Sequence, residues 1–510
     1  MASNSLVASA VTKLTITKTI PLGSYRSIPF VRLEGMAYGD LNPTENIPDL
    51  ADAPRNARGN VDYQTRVVLI APADLRQSQG RLLVDVPNRG LPVSHAFYNS
   101  PRQRPLPIGS LDAGLGFLQE QGFMLVSTQW ELGHGFEPPQ FVDTNGETRY
   151  VEAAGFAAVR DVARFLRDST QPDNPLAGSV KRVYAAGYSQ TSRFLKSFLL
   201  NGFNLVEGEQ VIEGFHLVGG AAGQLPLMAS GTEPSTVAGS TPAPPNLEHR
   251  GVHEEPFTYA AVVARLQARN EPLPKIFVTH FNIDYMGGRA SLTRTGAHGV
   301  ADLALPETVR MYDIAGSAHL NMREQYKLCE SMHGQLDWSP PLRAQLIALD
   351  DWVSEQLEPP PTCLMLLRPA RADEAVYGAP QYLPEATVLV PQTDADDNPL
   401  GGIQVPDVAV PLGTHGRPNA PVTNVICRLA GTYKPFFALQ QERLQANDPR
   451  LSLEERYPEG LNQYVQRVRE VSDQLVAQRY LLAADAAVIV NAAADEARLK
   501  PKPTRSIFRL

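Results

Sequence analysis

The run Arg182-Val183-Tyr184-Ala185-Ala186-Gly187-Tyr188-Ser189-Gln190-Thr191 constrains this chain more than any other segment. A short apolar strand pattern passes without a linker into Gly-x-Ser-x-Thr and then into a helical pattern. A serine at so sharp a strand-to-helix turn has its hydroxyl lifted clear of the sheet, with the amides of the new helix behind it. A nucleophile requires that placement. Thr191 departs from the glycine that usually closes the motif, whose smallness lets the helix start close to neighbouring strands.

Strand-like runs at 67–71, 81–86, 123–128, 182–186, 215–218, 275–281 and 309–314 alternate with helical patterns, one of which carries Val159, Val162, Ala163 and Leu166 on a single face. Such alternation predicts an α/β fold, a mostly parallel sheet with helices on both faces. Open sheets of this kind gather their reactive groups beyond the carboxyl ends of the strands. Two downstream runs end that way: 275–281 leads into Asn282-Ile283-Asp284, and 309–314 into Ala315-Gly316-Ser317-Ala318-His319. The chain order nucleophile, acid, histidine is that of α/β-hydrolases.

A serine hydroxyl is a poor nucleophile until a neutral imidazole takes its proton, so His319 is the candidate base. A carboxylate on the far ring nitrogen fixes the tautomer and stabilises the imidazolium, which is the role assigned to Asp284. Asp302 and Asp313 also precede His319, but Asp313 lies inside a strand pattern and Asp302 in a loop with no assigned place. The oxyanion of the tetrahedral intermediate needs amide donors. The Gln190 amide is the first. The strand at 81–86 opens into Pro87-Asn88-Arg89-Gly90, where the Arg89 or the Gly90 amide is the second unless the segment is a plain surface turn.

Taken together, Val86-Pro87-Asn88-Arg89-Gly90, Gly187-Tyr188-Ser189-Gln190-Thr191 and Ala315-Gly316-Ser317-Ala318-His319 resemble the bacterial α/β-hydrolase domain-containing proteins, an esterase-like family. The resemblance extends through Asp394-Ala395-Asp396-Asp397-Asn398-Pro399-Leu400-Gly401-Gly402, through Val405-Pro406-Asp407 and through Asp448-Pro449-Arg450-Leu451-Ser452. At the acid loop that family tends to carry Glu-Thr-Asp where this chain has Asn282-Ile283-Asp284. The resemblance implies an α/β-hydrolase fold and serine-dependent hydrolysis of carboxylic esters, in some members of polyesters, without a cofactor.

At 510 residues the chain exceeds the ~250–300 at which single cores stop growing. The expected division is a hydrolase domain over 1–357, with N-terminal strands and a cap-like insertion near 225–257, and a C-terminal extension over 358–510 packed on the body. With 46 basic and 54 acidic residues and no long run of one sign, the chain has no nucleic-acid or anionic-membrane footprint, and a neutral ester, small or polymeric, suits it better. Three widely spaced cysteines, Cys329, Cys363 and Cys427, argue against a disulfide framework or a paired-cysteine zinc site, so buried free thiols are expected. His249 and His253 stand four apart before Glu254 and Glu255, but Gly251 and the Pro-rich approach oppose the helix a metal site would need, so no metal is expected. The N-terminus lacks a basic start and a sustained apolar core, and no run approaches the ~20 apolar residues that span a bilayer, so a soluble, cytoplasmic protein is expected.

In the extension, Pro359-Pro360-Pro361 breaks the chain and a later helix carries Tyr464, Val468, Val471 and Leu475. The Gly-Pro-rich stretch at 411–421 reads as an ordered wrap, because Tyr433, Phe436 and Phe437 soon after it need burial. Trp130 and Trp338 are assigned to core packing, with a pocket wall as the alternative. Three functional readings follow: a serine esterase, a binding module of the same fold with an incomplete triad, and an amidase or peptidase of the same mechanism.

Overall fold

The computed structural model describes residues 8–495 except 103–104, 113, 224, 226–257, 297, 321–328, 372–373, 375–386 and 422–423. The expected cap-like insertion, with His249 and His253, therefore lies outside the described residues.

Ten strands form one sheet. They are β1 (Ala10–Tyr25), β2 (Ile28–Leu41), β3 (Val61–Pro72), β4 (Arg81–Asp85), β5 (Phe123–Thr128), β6 (Phe136–Glu137), β7 (Arg182–Tyr188), β8 (Gly214–Val218), β9 (Lys275–Phe281) and β10 (Val309–Ile314). Their order is β1-β2-β3-β5-β4-β7-β8-β9-β10, with the short β6 also on β3. From β5 to β10 every neighbouring pair is parallel, whereas β1, β2, β3 and β5 pair antiparallel.

The parallel strands are apolar on both sides, as burial on both faces demands. Leu82, Val84, Val183, Ala185, Phe215, Leu217, Ile276 and Val278 belong to one core, while Leu83, Tyr184, Ala186, Phe277, Tyr312 and Ile314 belong to the other. The first core is closed by helices α1 (Ala154–Asp168), α2 (Gln190–Leu200) and α3 (Tyr259–Ala268). Val159, Val162, Ala163 and Leu166 are its fully buried stripe from α1. Two further helices lie nearer the strand ends, α4 (Asn282–Gly287) and, in the C-terminal region, α6 (Val425–Ala430). The second core is closed by α5 (Ser339–Glu355) and, from the C-terminal region, by α7 (Leu461–Ala477) and α8 (Ala483–Ala493). In α7, Tyr464, Val468 and Leu475 are buried and Val471 partly so.

Residues beyond 357 are fastened to the body by more than apolar contact. Arg343 on α5 forms a two-pronged ion pair with Asp485 on α8, at 3.0 and 2.6 Å, and Arg102 bonds both carboxylate oxygens of Asp407 at 2.8 Å. The Arg343–Asp485 pair is buried, and removing one partner of such a pair costs roughly 3–5 kcal/mol. The stretch at 411–421 is ordered, as expected: Gly413–His415 pairs with Tyr433–Pro435, and Phe436 is buried.

Two expectations are corrected. Cys329 and Cys427 form a disulfide, with Cα atoms 5.4 Å apart, so only Cys363 keeps a free thiol. Spacing alone did not reveal the pair because the two cysteines stand 98 residues apart and meet only when the C-terminal region folds back. The acid loop is also not a loop. Residues 282–287 form α4, whose first turn is capped by Asp284 Oδ2 accepting the Phe281 N–H at 2.9 Å. No helix among the described residues is long and apolar enough to cross a membrane.

Candidate functional site

Ser189 stands between the last residue of β7 and the first of α2, with φ 56° and ψ −111°, a left-handed backbone rare for a residue bearing a side chain. Such strain persists only where the surroundings impose it, and it clusters at reactive positions. Here three contacts impose it. The Ser189 N–H donates to the Val218 carbonyl on β8 at 2.9 Å, and the Ser189 carbonyl accepts from the Arg193 N–H at 3.2 Å. Thr191 Oγ1 accepts the Tyr188 N–H at 2.9 Å, so the threonine in place of glycine ties the turn shut with its own hydroxyl. Gly187 is needed beside it, since a Cβ there would sit 2.5 Å from the Thr191 carbonyl oxygen.

On the adjoining strand ends, His319 Nδ1 lies 2.7 Å from Asp284 Oδ1. Both residues are buried, and the second oxygen of Asp284 is occupied by its capping bond. Ser317 joins the histidine loop to the first turn of α4: its hydroxyl accepts the Asn282 N–H at 3.1 Å and its carbonyl the Ile283 N–H at 3.3 Å. The imidazole is stacked on the Tyr188 ring, 4.9 Å between centroids, while the Tyr188 hydroxyl donates to the His319 carbonyl. Below the imidazole the chain must pass closely, because a Cβ on Gly219 would meet His319 Cε1 at 3.1 Å. Tyr188, the residue before the serine, is therefore in direct contact with the histidine. No hydrogen bond joins Ser189 Oγ to the ring among the described residues.

The other acids are engaged elsewhere. Asp313 Oδ2 accepts from the Tyr285 hydroxyl at 2.7 Å, Arg294 Nη1 at 3.0 Å and the Met365 N–H at 2.9 Å, and Asp302 is paired with Arg294 at 2.6 Å. Asn282 donates to the Gly416 carbonyl at 2.6 Å. It joins the body to the C-terminal region.

The segment after β4 is a tight turn in which the Asn88 and Leu91 backbones bond each other and both Arg89 (φ 50°) and Gly90 (φ 75°) are left-handed. Asn88 Nδ2 donates to the Tyr188 carbonyl at 3.0 Å, which sets the turn against the serine. The Arg89 N–H is taken by Gln190 Oε1 at 3.2 Å, while the Gly90 N–H has no hydrogen bond among the described residues. As the first residue of α2, Gln190 has a backbone N–H without a helical acceptor. Its side chain also donates to Glu131 Oε1 at 3.2 Å, and burial pushes the Glu131 carboxyl above its ordinary pKa.

Trp130 and Trp338 frame this region. Trp130 Nε1 donates to the Pro87 carbonyl at 2.8 Å, and Trp338, buried, packs on Phe281 and Tyr188 with centroids 4.9 and 6.2 Å apart. Sequence reasoning did not find Tyr188 or Glu131 as parts of the site. The first lay inside the motif itself, and nothing in the pattern marked the second. A cavity of about 480 Å³ lies in the C-terminal region against Asp396, Asn398, Glu455, Arg456 and Tyr457; none of Ser189, Asp284 and His319 borders it.

Among solved structures, the chain is similar to a glucuronoyl esterase from Solibacter usitatus, at 13% identity over 59% of this chain and 80% of that one, with a TM-score of 0.29. It is also similar to an S-formylglutathione hydrolase (FrmB) from Staphylococcus aureus, at 10% identity over 55% and 88% of the two chains with a TM-score of 0.25. A third is a putative acetyl xylan esterase from Bacteroides fragilis, at 12% identity over 59% and 70% with a TM-score of 0.25. No curated protein matches the chain significantly. The alpha/beta hydrolase domain family matches residues 125–491, a span that takes in Ser189, Asp284, His319 and most of the C-terminal region but not the turn at 87–90. Since that match covers well over half of the chain, the protein belongs to the alpha/beta hydrolase domain family.

Proposed function

We propose that this protein is a serine hydrolase that cleaves carboxylic esters through an acyl-enzyme. The carrying observation is the left-handed Ser189 at the β7–α2 turn, beside an Asp284–His319 pair 2.7 Å apart on neighbouring strand ends. His319 Nε2 accepts the Ser189 hydroxyl proton as Oγ attacks the ester carbonyl carbon. Asp284 holds the Nδ1–H tautomer and stabilises the imidazolium. The oxyanion is received by the Gln190 N–H, reinforced by the α2 dipole, and by the Gly90 N–H, since the Arg89 N–H is already engaged. Collapse expels the alkoxide, which leaves as the alcohol with the proton from His319. Water activated by the same imidazole then releases the acid. No step calls for a cofactor or metal.

The proposed substrate is a neutral ester, small or polymeric. The cytoplasmic location expected from the N-terminal residues conflicts with the Cys329–Cys427 disulfide, a bond that persists in oxidising compartments, and we propose such a compartment instead. A second reading, a binding protein of this fold without turnover, rests on the missing Ser189–His319 hydrogen bond. Fluorophosphonate labelling decides between them. Rapid labelling lost in Ser189→Ala supports the enzyme, and no labelling together with no turnover of short p-nitrophenyl esters supports the binder. Matched ester and amide substrates assign the bond cleaved.

A further inference from the structure

The backbone of the proposed base is held from the far end of the chain. The N–H groups of His319 and Leu320 both donate to the Leu429 carbonyl, at 3.0 and 3.3 Å. Leu429 lies in α6, whose first turn is capped by the Asn424 side chain accepting from Ile426 and Cys427. Around it the contacts repeat. The Gly334 N–H donates to the Ala430 carbonyl at 3.0 Å, and the Glu330 N–H to the Ala420 carbonyl at 2.9 Å. Asn419, fully buried, donates to the Ser331 and Gly431 carbonyls at 2.9 Å each and accepts the Ser331 N–H at 3.1 Å. Asn282, two residues before the proposed acid, donates to Gly416. The stretches 416–421 and 424–431 are thus docked on both α4 and the histidine loop, and one covalent bond holds them there: Cys427 of α6 to Cys329, ten residues beyond the histidine.

Resting on the proposed hydrolase reading, we propose that the Cys329–Cys427 disulfide is a redox clasp that positions His319 through the Leu429 carbonyl, so that reducing it slows acyl transfer without unfolding the sheet. The chemistry is thiol–disulfide exchange with a dithiol reductant. A thiolate attacks Cys329 Sγ, which belongs to a partly exposed residue, and Cys427, whose residue is fully buried, leaves as thiolate. The reductant's second thiol then displaces Cys329 from the mixed disulfide. The two reductant protons end on the two cysteine sulfurs, and the reductant closes its own disulfide. With that bond gone, α6 is held to the histidine loop by hydrogen bonds and non-covalent packing only. Misplacing a catalytic group by about 1 Å is enough to cost on the order of 100-fold in rate. Leu429 and the two cysteines are positioning residues, since none touches the reacting atoms.

The test uses the whole 510-residue chain, oxidised or reduced with dithiothreitol, with free thiols titrated. Fluorophosphonate labelling of Ser189 and turnover of p-nitrophenyl acetate report the site, and far-UV circular dichroism reports the fold. Reduction is expected to lower labelling rate and kcat by roughly 10- to 100-fold with KM and circular dichroism little changed, and reoxidation to restore them. Cys329→Ser with Cys427→Ser should match the reduced protein and ignore reductant, while Cys363→Ser should respond as the unaltered protein does. If the double variant fails to fold, the oxidised and reduced forms of the unaltered protein decide. Complete reduction with an unchanged labelling rate overturns the clasp alone. No labelling of the oxidised protein overturns the hydrolase reading and the clasp with it.

Discussion

Ser189 is held from within the sheet: by Gly187 and Thr191 in the same turn, by Val218 on the adjoining strand, and by Asn88 in the turn beyond β4, which bonds the Tyr188 carbonyl. His319 is held by what lies far away in the chain: the Leu429 carbonyl and a segment pinned by Asn419 and a disulfide. The serine rim belongs to the sheet, since the parallel strands on either side fix its backbone. The histidine rim takes part of its backbone support from the C-terminal region. A fold of this class can therefore keep its nucleophile constant while the setting of its base is adjusted by a distant segment.

The sharpest ways to break this comparison begin at the reacting groups. Ser189→Ala and His319→Ala should each lower kcat/KM for p-nitrophenyl esters by on the order of 10⁴-fold or more, and equal losses would tie the two rims into one unit. Asp284→Asn should cost on the order of 10⁴-fold in kcat because the wrong tautomer of His319 is then favoured. Asn282→Ala, which loses only the bond to Gly416, should cost about 10-fold or less, measured on the same esters. A reversed ranking at 282 and 284 would move the acid to the other residue. Beneath both rims, burial pushes His216 down to about 4 while Tyr98 and Gln345 hold its ring. A folded-state pKa below the unfolded value of about 6.5 means the unfolded chain binds the proton first as pH falls. Stability on the order of 3 kcal/mol from this residue is therefore complete above pH ~6.5 and lost progressively toward pH ~4. Urea unfolding of the native chain and His216→Gln at the two pH values reads it, and a parallel pH dependence in both would remove His216 as the cause. Gly187→Ala should destabilise by roughly 1–3 kcal/mol, since the new methyl meets backbone that cannot yield; a smaller shift in thermal midpoint would mean the serine rim is softer than described.

The same contrast decides how much was legible from sequence. The serine turn, the parallel strands and the amphipathic α1 were readable because each is a local pattern: an apolar run, a helical stripe, a motif at a strand end. Asp284 and His319 were readable as strand-end residues in the right order, and the structure brings them within hydrogen-bonding distance. The supports of His319 were not readable, because a backbone carbonyl such as Leu429 leaves no mark in residue type. The disulfide was hidden by its long separation and by the odd count of cysteines. The length of β1 was obscured for a different reason. Its hairpin closes through Arg26 and Ser27, both left-handed, instead of the Asn-Gly pair that usually announces such a turn.

That hairpin leaves β1 as the outermost strand, with sixteen residues and one side without a partner strand among the described residues. A flat border of that length would template fibre growth by adding identical chains edge to edge. Three irregularities of register, between Val11 and Lys13, Ile16 and Lys18, and Pro21 and Gly23, bend it, while Lys13 and Lys18 charge it and Pro21 withholds a donor. The border of the sheet is in this way spoiled as a seed for self-assembly, at the opposite end from the strands that carry Asp284 and His319.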